Sequence, residues 1–428
     1  MKILLLALAL AGAAHAGPWS ALDADIERID PQVVAWRHDI HRHPELGNRE
    51  FRTAALVADA LRPLGYAVTT GVAGTGVVAV LRGDHPGPTV ALRAELDALP
   101  VTEPAGLPFA STARSTWSGR DVGVMHACGH DAHVAMALGV ATLLAQRRTQ
   151  LHGTVKLVFQ PAEEGPPDGE EGGAALMIKQ GVLADPKPDV FFGLHVGPGP
   201  SGSVSLSRER VTAGSDTFVT RIIGRQTHAA FPWAGIDPVT LAAQVVLAWQ
   251  TIPSRQSDLQ AQAAPVISVG RIDGGVRQNI IPEAVTLEGT VRTVSPAQRE
   301  AVLARLQQTA GSIAASAGGR AETRITEGYP SGHNDPALVD RYLPVLRTLA
   351  PDGRVTLGAG SYAADDFAYF SRAVPALFVG LGVTPPGIAA GRAAPNHSPD
   401  FVVDDAALRV GVRVLAGLML DTLRAGGE

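Results

Sequence analysis

The chain has 428 residues, of which 46% are hydrophobic, and its formal net charge is −5. This length indicates two domains, or one large domain with an insertion, and the apolar fraction is enough to form a sizeable core. The sequence has no long basic run and aromatic residues make up only 5% of it, so a nucleic-acid-binding surface is not indicated. A small-molecule partner fits this composition better.

The N-terminus has the pattern of a secretory signal peptide. Lys2 precedes an apolar stretch, 3–14, that is too short to span a bilayer. Ala14-His15-Ala16 is a small-residue cleavage pattern, so we expect cleavage after Ala16 and a mature chain that begins at Gly17. A buried N-terminal helix is the competing interpretation. The sequence therefore predicts an exported protein, periplasmic or secreted, with no stable membrane anchor.

Hydrophobic periodicity predicts two helices followed by alternating strands and helices. Apolar residues at helical spacing cover 26–37 and 51–64, and Gly65 closes the second of these helices. Further helices are predicted at 133–145 and 406–423. The compact apolar runs, interpreted as buried strands, are 77–81, 89–96, 155–160, 190–195 and 376–381. Such alternation is typical of an α/β fold with a mostly parallel sheet.

Residues 213–327 have a different pattern. Their predicted order is strand, helix, strand, strand, helix, strand, which is typical of a compact ferredoxin-like α+β unit. The strands are predicted at 216–223, 265–272, 284–293 and 321–326, and the helices at 237–252 and 297–315. We expect this unit to be a satellite domain inserted into an α/β domain that is formed by 17–212 and 328–428.

The only cysteine of the chain, Cys128, lies two residues before His130 in the sequence Met-His-Ala-Cys-Gly-His-Asp. A thiolate and an imidazole this close together are good ligands for zinc or a similar divalent ion. One cysteine cannot form an internal disulfide, and in an exported protein metal coordination would shield the thiol. An inert buried thiol is the alternative.

Acidic and imidazole side chains follow three of the predicted strands. Asp97, the pair Glu163 and Glu164, and His195 each come at the end of an apolar run. In open α/β sheets, sites form along the edge where the strands reach their carboxyl ends. Together with a histidine in a later loop, the chain offers five candidate metal ligands: Cys128, His130, Glu164, His195 and His397.

These ligands would hold two divalent ions about 3.5–4 Å apart, an arrangement that activates water for hydrolysis, or one ion with the remaining groups around it. The donor types suit zinc, manganese, cobalt or nickel equally well. Of Glu163 and Glu164, one would bind metal while its neighbour acts as general base; two solvated loop acids are the alternative. Asp97 is expected either to orient a ligating histidine or to be a structural acid.

Seven short segments, spread over the mature chain, form a recognisable set. They are His43-Pro44-Glu45-Leu46-Gly47, Arg93-Ala94-Glu95-Leu96-Asp97-Ala98-Leu99-Pro100, Gly123-Val124-Met125-His126-Ala127-Cys128-Gly129-His130-Asp131, Phe159-Gln160-Pro161-Ala162-Glu163-Glu164, Gly193-Leu194-His195-Val196, Thr227-His228-Ala229-Ala230 and Asn396-His397-Ser398-Pro399. In this order they resemble the metal-dependent amidohydrolases of the aminoacylase–carboxypeptidase superfamily. The branch that the chain resembles holds hippurate hydrolases, N-acyl-amino-acid amidohydrolases and auxin-conjugate hydrolases.

The resemblance implies a role for each of these residues. It implies a dinuclear metal site formed by the five candidate ligands, with Glu163 as the general base. It also implies that 213–327 is a lid and often a dimer interface, from which His228 reaches the site of its own chain or that of the partner subunit to stabilise the oxyanion. Asn279 and Arg292 match lid positions that would hold a substrate carboxylate, although a structural salt bridge is the alternative for Arg292.

The predicted function is therefore that of an exported metal-dependent amidohydrolase, a homodimer that cleaves the amide bond of N-acyl amino acids. A metallo-carboxypeptidase or dipeptidase with the same site is the nearest alternative. A periplasmic ligand-binding pseudoenzyme is the alternative from another class. The chain departs from the family at Asp365-Asp366-Phe367, where Glu-Asp-Phe is common. Because of this departure, the sequence predicts the type of reaction more closely than the identity of the substrate.

Overall fold

The structure is a computed structural model, and it describes residues 19–260 and 263–424. The predicted signal peptide lies outside these residues and stays a prediction. The helices are α1 Ser20–Arg42, α2 Phe51–Leu61, α3 His130–Ala145, α4 Gly173–Lys179, α5 Pro238–Trp249, α6 Thr251–Arg255, α7 Pro296–Ser316, α8 Pro336–Leu349, α9 Phe367–Ala373 and α10 Ala406–Thr422. None of the helices in the described part of the chain is long and apolar enough to cross a membrane.

The strands fall into one large sheet, one smaller sheet and three short pairs. In chain order they are β1 Ala67–Val72, β2 Gly76–Arg82, β3 His85–Glu95, β4 Arg114–Trp117, β5 Arg120–Gly123, β6 His152–Gln160, β7 Val190–Pro200, β8 Val204–Ser207, β9 Arg210–Thr212, β10 Gly214–Ile223, β11 Thr227–His228, β12 Val266–Asp273, β13 Ile280–Ile281, β14 Ala284–Thr293, β15 Arg320–Thr326, β16 Gly332–His333, β17 Val355–Gly358 and β18 Ala376–Thr384.

The large sheet has the strand order β1-β2-β6-β3-β7-β18-β8-β17. Its centre, β6-β3-β7-β18, is parallel, and β8 and β17 are also parallel to each other, while the other neighbours are antiparallel. One face packs against α1, α3, α8 and α10, and the other face packs against α4 and α9. The central strands are buried on both faces, which explains their continuous apolar runs. The predicted mostly parallel α/β sheet is confirmed.

The second sheet has the order β12-β14-β10-β15 and is antiparallel throughout. Helices α5 and α7 cover one of its faces, and a separate core forms there around Phe218, Trp249, Leu287 and Leu306. Asp237 caps the start of α5 by accepting hydrogen bonds from backbone N–H groups of its first turn. The strand and helix order within Gly214–Thr326 is βαββαβ, as the periodicity predicts.

The structure differs from the sequence prediction at several elements. Helix α3 begins at His130, three residues before the predicted start, because its first turn is polar yet completely buried. No amphipathic periodicity can mark such a start. Helix α8 was not predicted from the sequence, although Asp335 caps it and its buried residues follow helical spacing. Strand β1 has no continuous buried run because it lies at the sheet edge.

Candidate active site

The five predicted ligands meet at one edge of the large sheet. Strands β6, β3 and β7 are neighbours there, and α3 starts beside them. The ligand atoms of Cys128, His130 and His195 lie within 4.8 Å of one another, and so do those of Cys128, Glu164 and His397. The Sγ of Cys128 is 3.4 Å from Nε2 of His195. Because Cys128 belongs to both groups, the five predicted ligands form one connected cluster.

Gly129 makes this convergence possible, because it turns the chain between Cys128 and the helix. Its φ of 90° is left-handed, a conformation that costs glycine little and other residues more. A Cβ at this position would lie 2.3 Å from Cγ2 of Val196, so no side chain fits. The turn places Cys128 just before the N-terminus of α3, where the helix dipole favours a negative charge.

The hydrogen bonds of His130 and His195 leave one nitrogen of each ring available. Nδ1 of His130 lies 2.8 Å from the carbonyl oxygen of Asp97, and Nδ1 of His195 lies 2.7 Å from that of Val196. A carbonyl only accepts, so each Nδ1 carries a hydrogen and Nε2 is the ring nitrogen left to bind a metal, which would displace any proton that Nε2 carries. Nε2 of His130 is buried and has no hydrogen-bond partner among the described residues. Both rings are therefore oriented as metal ligands.

His133 lies close to these ligands but has no free nitrogen. Its Nδ1 donates to Glu95 at 2.8 Å, and its Nε2 accepts the backbone N–H of Val196 at 2.9 Å. With both ring nitrogens engaged, His133 is a packing residue that holds β7 against α3. His126 is completely buried, and burial lowers its pKa to about 3, so this ring is neutral at physiological pH.

Asp97 contacts two of the predicted ligands, but in an unexpected way. Its backbone carbonyl is the closer acceptor for Nδ1 of His130, at 2.8 Å, and its carboxylate Oδ1 lies 3.4 Å from the same nitrogen. The carboxylate Oδ2 accepts the backbone N–H of Glu164 at 2.9 Å. Asp97 thus fixes one ligand through its main chain and the next through its side chain, which fits the predicted orienting role.

Glu163 points into the cluster from the loop after β6. It is 4% exposed, and its Oε2 is 3.8 Å from Nε2 of His130. Burial raises the pKa of Glu163 well above its ordinary value, and the nearby Asp365 and Glu164 raise it further. A carboxyl whose pKa is raised in this way binds a proton readily, which is what a general base requires.

The charges around the cluster favour a divalent cation. Burial raises the pKa of the Cys128 thiol well above its ordinary value, and Glu164 and Glu163 add to that effect. Burial alone would lower the pKa of His130, but Asp97 and Glu95 outweigh it and the pKa rises to about 10. The same negative potential that retains these protons would bind a cation, which would then hold the thiol as thiolate. The donor set and the free Nε2 of His130 fit a divalent metal.

The cluster opens into a cavity of about 930 Å³ between the large sheet and the second sheet. Arg292 on β14 lines this cavity, and it makes no ion pair with any residue of the described part of the chain. The absence of a partner argues against the structural salt bridge, and the guanidinium is free to face the cavity. His397 lies at the rim, with Nε2 3.0 Å from Glu164.

His228 and Asn279 do not line this cavity. They are neighbours at the short pair of strands β11 and β13. His228 pairs there with Ile280, and the carbonyl of Asn279 accepts the N–H of Ala229 at 3.1 Å. Both side chains are exposed. In a single chain, the structure therefore brings Arg292 to the site but leaves His228 and Asn279 on a nearby surface.

Two residues that the sequence did not single out, Glu50 and Asn396, support the loops that carry the predicted ligands. Glu50 is completely buried and accepts the N–H of Ala162 at 2.8 Å, where the chain takes a left-handed φ of 49° just before Glu163. Asn396 donates to the carbonyls of Cys128 and Val196 and so ties the His397 loop to both of these segments. The sequence around Glu50 is mostly polar and gives no sign of its role, whereas Asn396 stands next to the candidate ligand His397.

Arg93 is a further residue that the sequence did not single out. It is completely buried on β3, and its guanidinium contacts Glu95, Asp365 and Asp366. Gln160 accepts from Arg93 and donates to Asp366. The network joins β3 and β6 to the start of α9 and lies directly beneath Glu163, whose Oε1 is 3.4 Å from the N–H of Asp366.

Comparison with known proteins agrees with this geometry. The model of peptidase family M20/M25/M40 matches residues 91–421. The chain is 36% identical to thermostable carboxypeptidase 2 of Saccharolobus solfataricus, over 91% of this chain and 95% of that one. It is 34% identical to the N-acetyl-L-cysteine deacetylase of Bacillus subtilis, over 90% and 86% of the two chains.

A solved structure of the same family also matches this chain. A Bacillus subtilis protein described as a dinuclear metal binding peptidase of the M20 family superposes with a TM-score of 0.77 at 31% identity, over 93% of this chain and 99% of that one. The chain belongs to peptidase family M20/M25/M40 and is a metal-dependent hydrolase of that family. The predicted family resemblance is confirmed.

Proposed function

We propose that the protein hydrolyses the amide bond of N-acyl amino acids, with two divalent metal ions bound by Cys128, His130, Glu164, His195 and His397. The observation that carries the proposal is that these ligand atoms and Glu163 meet at one end of a cavity that also contains Arg292. Relatives named as a deacetylase and as an M20 dinuclear metal binding peptidase support it.

Each residue of the site has a separate task in this reaction. The ions, when bound, would polarise the scissile carbonyl and make water a better nucleophile at neutral pH. Glu163 takes a proton from the attacking water and later returns it to the leaving amine. Arg292 is suited to hold the carboxylate of the amino acid, since a guanidinium binds carboxylates through two hydrogen bonds. Asp97 and Gly129 keep the ligands in place.

Hydrolysis of a substrate panel tests the proposal. Purified protein would be reconstituted with zinc or manganese and incubated with acetyl- and benzoyl-amino acids and with free dipeptides, and amino-acid release would be measured. We expect release from the N-acyl substrates and its loss on addition of a chelator. Tight binding without turnover by fully metallated protein would support a ligand-binding pseudoenzyme and refute the proposal.

A carboxypeptidase is the second candidate function. It is favoured by the size of the cavity, which exceeds what an acetylated amino acid needs, and by the relative named as a carboxypeptidase. The same panel separates the two candidates, because release from peptides alone would identify a peptidase.

We further propose that the protein is a homodimer in which His228 of one protomer completes the site of the other. His228 is exposed and outside the cavity of its own chain. The edge strand β12 has a free side, and Ile272 at its end and Val276 just after it are 62% and 93% exposed. An apolar, unpaired edge of this kind is suited to pairing with another strand.

Mixing two inactive variants tests this arrangement. In a hybrid of Glu163→Gln and His228→Ala chains, the site of the His228→Ala chain would have its own Glu163 and the partner's intact His228. We expect co-refolded mixtures to regain activity that neither variant has alone. No regain in a mixture shown by native mass spectrometry to contain hybrids would place His228 in the site of its own chain or outside catalysis.

Export remains a proposal on the sequence pattern of the N-terminus. The full chain, expressed in a bacterial host, should be released from the periplasm without the first sixteen residues. Mass spectrometry of the released protein would show the cleavage, and a full-length cytoplasmic product would contradict it.

A further inference from the structure

A short segment of the chain joins the second sheet to the part of the molecule that carries the predicted metal ligands. Residues 327–331 follow β15 and lead into β16, and we call them the connecting segment. Its middle residue, Tyr329, is half-buried and lines the cavity. The Tyr329 hydroxyl donates a hydrogen bond of 2.6 Å to the backbone carbonyl of Glu163. The connecting segment therefore contacts the loop of the proposed general base directly.

The backbone of the connecting segment is fixed to the second sheet. The carbonyl of Tyr329 accepts the N–H of Ser215 on β10 at 2.9 Å. The N–H of Gly328 donates to the Asp216 carboxylate at 3.1 Å, and that buried carboxylate also pairs with Arg299 on α7. A Cβ on Gly328 would lie 2.0 Å from the carbonyl oxygen of Ser215, so only glycine permits this close approach. Tyr329 is thus held by the second sheet, while its hydroxyl contacts the loop after β6.

Ser215 connects Tyr329 to Arg292. Ser215 and Arg292 are direct partners on the antiparallel strands β10 and β14, and both line the cavity. The side chains of directly opposed residues lie on the same face of a sheet, with Cβ atoms about 4.5–5.5 Å apart. A strand pairing and two hydrogen bonds therefore connect the proposed carboxylate-binding residue, Arg292, to the proposed general base, Glu163.

The Tyr329 hydroxyl differs from the other groups that hold the 161–165 loop. Among the described residues, it is the only hydrogen-bond partner of this loop that is attached to the second sheet. Burial and nearby carboxylates, among them that of Asp366, raise the pKa of Tyr329, so the hydroxyl keeps its proton. A phenol has a single hydrogen to donate, and the carbonyl of Glu163 receives it. Tyr329 therefore acts on the reaction through Glu163 and not by donating to the substrate.

We propose that Tyr329 is a positioning residue that couples the general base to the carboxylate-binding strand, so that binding of the substrate carboxylate at Arg292 places Glu163 for the attack of water. Binding energy from a part of the substrate that does not react is then used to orient the groups that do react. A substrate without the carboxylate therefore loses kcat as well as affinity. This role rests on the proposed amide hydrolysis and adds to it a residue that the reaction needs for positioning.

A cycle that changes both the substrate and the protein tests this role. Metal-reconstituted wild type and Tyr329→Phe would each be given the best substrate of the panel and the same compound with its terminal carboxylate converted to a carboxamide, and release of the amine would be measured. In the wild type, we expect the carboxamide to lower kcat about tenfold or more and to raise KM. In Tyr329→Phe, kcat for the carboxylate substrate should fall about 10–100-fold, because a misplacement of about 1 Å has effects of this size. The carboxamide should then raise KM alone.

Two other tyrosines provide matched controls. The Tyr369 hydroxyl donates to the carbonyl of Gly328 at 3.4 Å, so Tyr369→Phe removes a hydrogen bond to the same connecting segment without changing the contact with Glu163. The Tyr362 hydroxyl donates to the carbonyl of Ala264, just before β12, at 2.6 Å. Tyr362→Phe therefore removes another hydrogen bond to the second sheet's side of the cavity. Both controls should keep the wild-type response of kcat to the carboxamide, and all three variants should retain the wild-type metal content.

Amide hydrogen exchange gives a second measurement that does not depend on turnover. The Glu163→Gln background keeps the backbone carbonyl that Tyr329 contacts. In this background, binding of an N-acetyl amino acid should slow exchange in β14 and in residues 161–165. Adding Tyr329→Phe should remove the slowing in 161–165 and keep it in β14, because the link between the two segments is then broken.

The outcomes separate this role from the proposed function. If the carboxamide affects kcat equally in the wild type and in Tyr329→Phe, or if Tyr369→Phe loses the response as well, the coupling is overturned and the hydrolysis stands. Release from peptides alone would overturn the proposed function, and the cycle would then run on a peptide and its carboxamide. Without any turnover, hydrogen exchange decides: slowing in 161–165 that persists in Tyr329→Phe, or no slowing in either segment, would overturn the coupling.

Discussion

Replacing Arg93 with methionine tests whether the buried charge network beneath Glu163 holds the site together. The variant removes the guanidinium but keeps an unbranched side chain in its place. Glu95, Asp365 and Asp366 would then remain buried without their common cation. Removing one partner of a buried ion pair costs about 3–5 kcal/mol, because the charge that is left has no compensation. This is a large share of a typical folding free energy of about 5–15 kcal/mol.

Urea unfolding at 25 °C in the presence of a chelator would measure this cost without the contribution of bound metal. Arg93→Lys is the matched control: it keeps the charge but loses the planar fork, so its loss should be smaller. Adding Asp365→Asn to Arg93→Met should restore part of the stability, since one uncompensated carboxylate is removed. A cost below about 1 kcal/mol for Arg93→Met, with an unchanged m-value, would refute the reasoning.

Three further changes have defined outcomes. Asp97→Ala removes the acceptor for the N–H of Glu164 and should lower metal affinity about 10–100-fold. Competition with a chromogenic chelator would measure this affinity, and an unchanged value would make Asp97 a structural acid. Gly129→Ala should lower the free energy of unfolding of metal-free protein by about 1–3 kcal/mol and abolish metal binding. Gly74→Ala is the control, because Gly74 has a φ of 98° but open space around it, and this variant should bind metal as the wild type does. The pKa of His41 is raised to about 9, because Asp131 and Glu103 outweigh its burial. The protonated ring therefore stabilises the folded protein by about 3 kcal/mol, fully below pH 6.5 and progressively less as the pH rises through 9. His41→Gln should flatten the decline of the free energy of unfolding between pH 7 and pH 10, and an equally steep decline would contradict the assignment.

Four of the five predicted ligands are marked locally in the sequence. Glu164 follows a buried strand, His195 lies within one, and Cys128 and His130 are two strong ligand types two residues apart. The general rule that α/β sites lie at the carboxyl ends of strands then places them together. The structure adds the tautomers of His130 and His195, which depend on backbone carbonyls that no motif reveals.

The supporting residues could not be predicted because their partners are distant in the chain. Arg93 and Asp365 are 272 positions apart, and Glu50 and Ala162 are 112 positions apart. An arginine inside an apolar strand can be assigned to a buried network only when the opposing carboxylates are known.

The most direct test of the central claim combines turnover and metal content in Glu163→Gln. The substitution keeps the size of the side chain and all five proposed metal ligands but removes the carboxylate that we propose as the proton acceptor. We expect the variant to retain the wild-type metal content, measured by plasma mass spectrometry, and to lose about 10²–10⁴-fold in kcat on the best N-acyl substrate. Near-normal turnover in the fully metallated variant would contradict the account, because the general base would then be another group.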